Sequence, residues 1–173
     1  MKYERSFTGS KADVMARVYY ASYPYRGEFA YDWAEEDDEE PQVVLNRDSS
    51  DAVWWGAEMH VAKSLLDAHR LTLGGEYRRN EKQNQKNFDE EVYLDDERES
   101  YFWSLFVQDE WRITEGLILN AGVRYDNFEE YGGKTAPRAA LIWSPREKTS
   151  LKFLYGEAYR IPNVYEQYYH DGE

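Results

Sequence analysis

Three histidines, an acidic run and a tail rich in tyrosine are the parts of this chain with chemical potential. His60, His69 and His170 could in principle hold a metal or move a proton. None stands in an HxxxH or comparable ligand spacing, and His60 and His69 fall near a short turn, so a wall or turn role is the expectation. Asp, His and Ser are all present, but co-occurrence without geometry does not make a hydrolase. GxSxG, P-loop and GxGxxG patterns are absent from the sequence. No catalytic residue, metal ligand or resident cofactor is assigned, and the chain is not read as an enzyme.

The run Glu35-Glu36-Asp37-Asp38-Glu39-Glu40 offers carboxylate oxygens that suit a hard cation such as Ca²⁺. It lacks the spaced oxygens and turn glycine of an EF-hand, so a solvated loop is expected. The tail carries Arg160, Pro162, Asn163, Tyr165, Glu166, Tyr168 and Tyr169. Aromatic rings beside an Arg and polar groups can grip a bulky planar cargo by stacking and charge. Arg160, Tyr165, Glu166, Tyr168 and Tyr169 are therefore the candidate ligand-binding residues, with Arg160 and Tyr165 the first to test. The plainer alternative makes these tyrosines an interfacial girdle and Arg160 and Pro162 a strand–loop corner.

The elements that must position these groups read as strands. In Leu117–Asp126, Leu117, Leu119, Ala121, Val123 and Tyr125 share one face, while Asn120, Gly122, Arg124 and Asp126 share the other. Such period-2 alternation predicts a sheet with one apolar and one polar face. Eight strands are expected: 3–7, 12–20, 53–63, 69–79, 101–113, 117–127, 137–143 and 151–159. Tight turns follow Ala62, Ile113 and Trp143. Longer loops follow Tyr20 and Arg79, with a shorter one at Tyr131–Lys134. Residues 26–33 are expected to extend the second strand and begin a returning one. Long loops at one end and tight turns at the other are the habit of a transmembrane barrel. Gly56, Gly74, Gly122 and Gly156 fall at similar depth on the polar face, which predicts curvature or close approach of another element.

Composition narrows the function classes. Lys and Arg total 21 against 34 Asp and Glu, a net charge of −13, which argues against nucleic acid. There is no Cys. No apolar run reaches the roughly 18 residues that a membrane-spanning helix needs, whereas a barrel strand needs only about 9–11 alternating residues. Aromatics make up 17%, the enrichment that interfacial girdles require. No signal peptide is recognisable at MKYERSF.

Four segments then carry a resemblance. Phe106–Trp111 (FVQDEW), Leu119–Asp126 (LNAGVRYD), Pro137–Trp143 (PRAALIW) and Gly156–Tyr169 (GEAYRIPNVYEQYY) resemble, in order and at hairpin spacing, strands of TonB-dependent outer-membrane receptors. WWGAE and LTLGGEYRRN upstream also look like that family. The resemblance implies an all-β, antiparallel up-and-down transmembrane barrel segment, about eight strands of a larger barrel, covering residues 1–173. It implies a bacterial outer-membrane location and uptake of a large scarce nutrient such as a ferric siderophore, haem or cobalamin. Its implied partners are membrane lipid, a plug domain, TonB and that cargo. Plug, TonB box and a closing aromatic strand are not recognisable, so a fragment from the middle of a barrel is expected. Two other architectures remain open at this point: a self-contained eight-stranded barrel of structural or adhesive role, and a soluble β-sandwich binding module.

Overall fold

The computed structural model describes residues 1–32, 34 and 40–170. Among the described residues, nine strands form one antiparallel sheet: β1 (Lys2–Phe7), β2 (Ala12–Asp32), β3 (Val43–Leu65), β4 (His69–Phe88), β5 (Val92–Asp96), β6 (Ser100–Thr114), β7 (Leu117–Phe128), β8 (Gly132–Arg146) and β9 (Thr149–Gly156). A short helix, α1, spans Val164–Tyr168. The spatial order is β1-β2-β3-β4-β6-β7-β8-β9, with β5 also paired to β4. The chain divides into two compact units. Unit 1 holds Met1–Tyr19, Gly56–Arg78 and Tyr101–Arg160; unit 2 holds Tyr20–Trp55, Arg79–Ser100 and Ile161–Glu173.

In unit 1 the register confirms the faces expected from alternation. Phe106 lies opposite Arg124, Gln108 opposite Gly122 and Glu110 opposite Asn120. Gly122 faces Arg138, and Arg138 faces Gly156. Directly opposed residues share a face, so these positions form one polar face. The other carries Leu105, Val107 and Trp111 on β6, Leu117, Leu119 and Val123 on β7, Leu141 on β8, and Phe153 and Tyr155 on β9. Turns Leu66–Ala68, Glu115–Gly116 and Glu147–Lys148 are as tight as expected.

Burial is inverted relative to a water-soluble domain. Asn46, Gln85, Asn87, Ser104 and Asp126 are buried, beside only Ala62 and Leu94 among the described apolar residues. Leu105, Leu73, Met59 and Phe153 are instead exposed. A soluble sheet would bury that apolar face against a second layer. All nine strands belong to a single sheet, which does not match a sandwich. β1 and β9 stand at opposite ends of the strand order, so a self-closed eight-stranded barrel is not formed either.

The expected strand limits need correction in unit 2. Residues expected in loops after Tyr20 and Arg79 continue as strand: β2 reaches Asp32, β3 starts at Val43 and β4 runs to Phe88. Asn, Gln and Lys give no apolar alternation there. Pairing instead rests on backbone bonds and cross-strand contacts such as Lys86 opposite Asp95, whose Nζ and Oδ2 are 2.9 Å apart. The ninth strand arises because the strand returning along β4 is broken at Glu97–Glu99. β5 pairs with Gln85–Phe88, Gln83 N–H donates to the Arg98 carbonyl, and β6 resumes at Ser100. Gly132, Gly133 and Lys134 belong to β8 rather than to a loop, and β9 ends at Gly156 rather than Tyr159. The acidic run lies outside the described residues except for Glu40.

The glycines also resolve. A side chain at Gly56 would strike the Tyr19 ring, and one at Gly74 would strike the Phe106 ring. Each is the close approach that the polar-face pattern predicts. Gly122 is crowded by the Val107 carbonyl and the Gln108 backbone. Gly156 has only distant neighbours, the Cβ of Arg138 at 3.8 Å being the nearest, and does not share that constraint.

Candidate functional site

The polar face of unit 1 is cross-linked rather than open. The Tyr19 hydroxyl donates to Glu76 at 3.0 Å, and Arg124 reaches Glu76 at 3.4 Å and Asp126 at 2.7 Å. The Tyr159 hydroxyl donates to the second oxygen of Asp126. Arg17 pairs with Glu58 at 3.0 Å, Arg70 with Asp13, and Arg138 donates to Gln108. These bonds join side chains on β2, β3, β4, β6, β7 and β8. Inward arginines therefore find carboxylates on neighbouring strands, Arg17 with Glu58 and Arg124 with Glu76. Phe106, Arg124, Arg138 and Glu157 border a recess of about 250 Å³. A charge taken out of water is tolerable only with such partners.

The three histidines have separate surroundings. His69 Nδ1 lies 2.6 Å from Asp109 Oδ2, and its ring stacks on Trp111 at 5.4 Å between centroids. His60 lies beside Gly74, and His170 is exposed. Among the described residues no group of three or more His, Asp or Glu is placed to hold a metal. The acidic run considered for Ca²⁺ falls largely outside them.

Unit 2 gathers four of the five candidate ligand residues on and beside α1. Asn163 caps the helix: its side chain accepts from the Glu166 N–H at 2.9 Å, and Glu166 accepts from the Asn163 N–H at 2.9 Å. This reciprocal box holds the Glu166 carboxylate at the helix N-terminus. Tyr168 lies under the Arg98 guanidinium, 3.4 Å from ring centroid to Cζ, and Arg98 is itself held by Asp96 at 2.6 Å. The Tyr169 hydroxyl accepts from Asn87 Nδ2 at 3.1 Å and donates to Asp48. Asn87 and buried Asn46 exchange two amide hydrogen bonds of 2.9 Å. Gln85, two residues before Asn87, is buried without a side-chain partner.

Tyr165 stacks on Tyr169 at 4.3 Å between centroids yet remains 57% exposed. Of the candidates it is the ring presented outward. Arg160 is exposed and closes unit 1. Sequence reasoning missed Arg98, Asn87 and Asp48, which hold the tail tyrosines, and Asn46, which holds Asn87. Only the Asn163-x-x-Glu166 spacing of the cap was available as a local signal.

The β-barrel family described as TonB dependent receptor-like matches residues 2–172. The vitamin B12 transporter BtuB of Vibrio cholerae serotype O1 is 36% identical over 62 residues, which is 36% of this chain and 10% of that protein. The ferric enterobactin receptor of Pseudomonas aeruginosa is 31% identical over 64 residues, 37% of this chain and 9% of that protein. Two crystal structures of variants of that receptor, PfeA, superpose with TM-scores of 0.57 and 0.55. Each covers 90% of this chain at 18% and 19% identity, and this chain spans 26% and 27% of theirs. These superpositions show the barrel fold. With a family match over nearly every residue, this chain belongs to the β-barrel family of TonB-dependent receptors.

Proposed function

We propose that this chain is a wall and outer-loop segment of a bacterial outer-membrane receptor that imports a large scarce nutrient. The inverted burial carries the reading: polar Ser104 and Asp126 are buried while Leu105, Val123 and Phe153 are exposed on one continuous face. Lipid is the solvent that such a face suits, and a wet interior suits the cross-linked polar face. The cargo class is a ferric siderophore, haem or cobalamin, supported by relatives named for vitamin B12 transport and ferric enterobactin reception. In the complete receptor a plug domain occludes the barrel and TonB supplies the coupling. The wall performs no covalent chemistry.

Cargo is met by the tail, where Tyr165 offers a stacking face, and Arg160, which closes unit 1, is the second residue to test. In the intact receptor, Arg160→Ala and Tyr165→Ala should weaken binding of radiolabelled cargo while heat-modifiable gel mobility stays normal. Normal cargo binding in both variants would assign the tail to barrel construction.

A further inference from the structure

Charge is divided very unevenly between the two units. Unit 2 contains 21 Asp and Glu against 6 Lys and Arg, a net of −15, while unit 1 contains 13 against 15, a net of +2. The whole acidic excess of the chain therefore lies in the unit that carries the tail tyrosines. Five of the six cations of unit 2 are already matched to a carboxylate of the same unit. Arg26 pairs with Asp51, Arg47 with Glu28, Arg79 with Glu99, Lys86 with Asp95 and Arg98 with Asp96. Arg98 also covers the Tyr168 ring.

The aromatic group is fixed before any cargo arrives. Arg98 orients Tyr168, and Asn87 with Asp48 orients Tyr169. Tyr169 in turn backs the exposed ring of Tyr165. A ring held in one place offers a stacking face at small entropic cost. The negative quadrupole of an aromatic face favours a cation over it. A surface field of one sign raises the local concentration of oppositely charged ligands and repels like-charged ones, over a range set by salt.

We infer that unit 2 receives a planar cargo of neutral or positive charge, stacked on Tyr165, and discriminates against polyanions. This inference rests on the uptake reading above and narrows its cargo class. A ferric tris-catecholate, which carries three negative charges, is disfavoured on this surface. A neutral or cationic complex with an apolar planar face is favoured. Arg98 and Asn87 are positioning residues that act through Tyr168 and Tyr169.

The test uses the full chain in detergent micelles with two porphyrins of one planar skeleton and opposite charge. One carries four N-methylpyridinium groups, the other four sulfonatophenyl groups; binding is read by quenching of intrinsic fluorescence. The cationic probe should bind about tenfold or more tightly than the anionic one at low salt, and the ratio should shrink as salt screens the field. Tyr165→Ala should weaken the cationic probe about two- to fivefold, the worth of one exposed cation–π contact, and Tyr165→Phe should restore it. Arg98→Lys should keep more binding than Arg98→Ala, with the circular-dichroism spectrum unchanged in both.

Equal or tighter binding of the anionic probe, or a ratio unmoved by salt, overturns the charge assignment. A charge preference that survives Tyr165→Ala at full strength overturns the stacking site. Insertion into lipid vesicles, scored separately, reports on the wall reading: a chain that inserts yet shows no charge preference sinks this inference alone.

Discussion

The ring of Phe106 on β6 lies over Gly74 on β4, in the space that a side chain on Gly74 would occupy. Tyr19 and Gly56 repeat the arrangement between β2 and β3. An aromatic ring over a strand glycine covers backbone that would otherwise be bare, and it locks register through shape. Gly74→Ala must push the ring or the His60 side chain aside. Overpacking of this kind costs about 1–3 kcal/mol. Urea unfolding in micelles should show that loss, and Phe106→Leu in the same background should recover part of it. A neutral Gly74→Ala would remove the ring from its assigned place.

Arg124 sits between two carboxylates, Glu76 on β4 and Asp126 on its own strand. Asp126 is buried, so removing the cation leaves a charge short of its partner. Arg124→Met should cost about 1–3 kcal/mol, the penalty for a buried polar group left unsatisfied. Adding Asp126→Asn should return part of that loss, because the unpaired charge disappears. Additive losses in the double variant would mean that the two side chains do not interact.

The faces of β7 and β9 differ in what they tolerate. Val123 faces outward between Val107 and Pro137, whereas Lys152 faces the polar side opposite Ile142. Val123→Arg should cost about 2–4 kcal/mol if the site lies near mid-bilayer. Lys152→Ala should stay within about 0.5 kcal/mol, as ordinary surface changes do. Folding yield into lipid vesicles separates the two, and equal tolerance would refute the assigned faces.

Asp67, in the turn after β3, has a left-handed backbone (φ 52°) and pairs with Lys11 in the neighbouring turn before β2. The hydrogen bond from the Lys11 ammonium, aided by its charge, holds the Asp67 carboxyl below its ordinary value. A depressed folded-state value means that the stabilisation is present above the ordinary carboxylate range and is lost as pH falls through the folded value. Carboxyl NMR should show Asp67 titrating low, and Lys11→Ala should bring it back. An unchanged midpoint in the variant would exclude the pairing.

Much of unit 1 was readable from the residues because each strand there has an apolar and a polar side, so period 2 is written into the sequence. Leu117–Asp126 and Pro137–Trp143 show it, and the register of β7 with β8 agrees. In unit 2 that signal fades. Asn80–Phe88 has no apolar face to mark, yet it pairs with β5 through backbone bonds and with Asn46 through the Asn87 amide. The tail was legible in composition but not in arrangement. Asn87 meets Tyr169 from 82 residues away in sequence, a distance over which no local pattern reports. Glu166, read as a ligand group, is held by the Asn163 cap, and Tyr165 keeps the outward position.

On the proposed function, one face of this sheet meets lipid and the other meets water. The chain has no Cys, so single cysteines from Leu117 to Asp126 can each carry a nitroxide without interference. In lipid vesicles, accessibility to molecular oxygen and to a water-soluble nickel chelate should alternate with period 2. Oxygen should be favoured at Leu119, Ala121 and Val123, and nickel at Asn120, Gly122 and Arg124. Uniform exposure to nickel along the strand, or alternation in the opposite phase, would contradict the account.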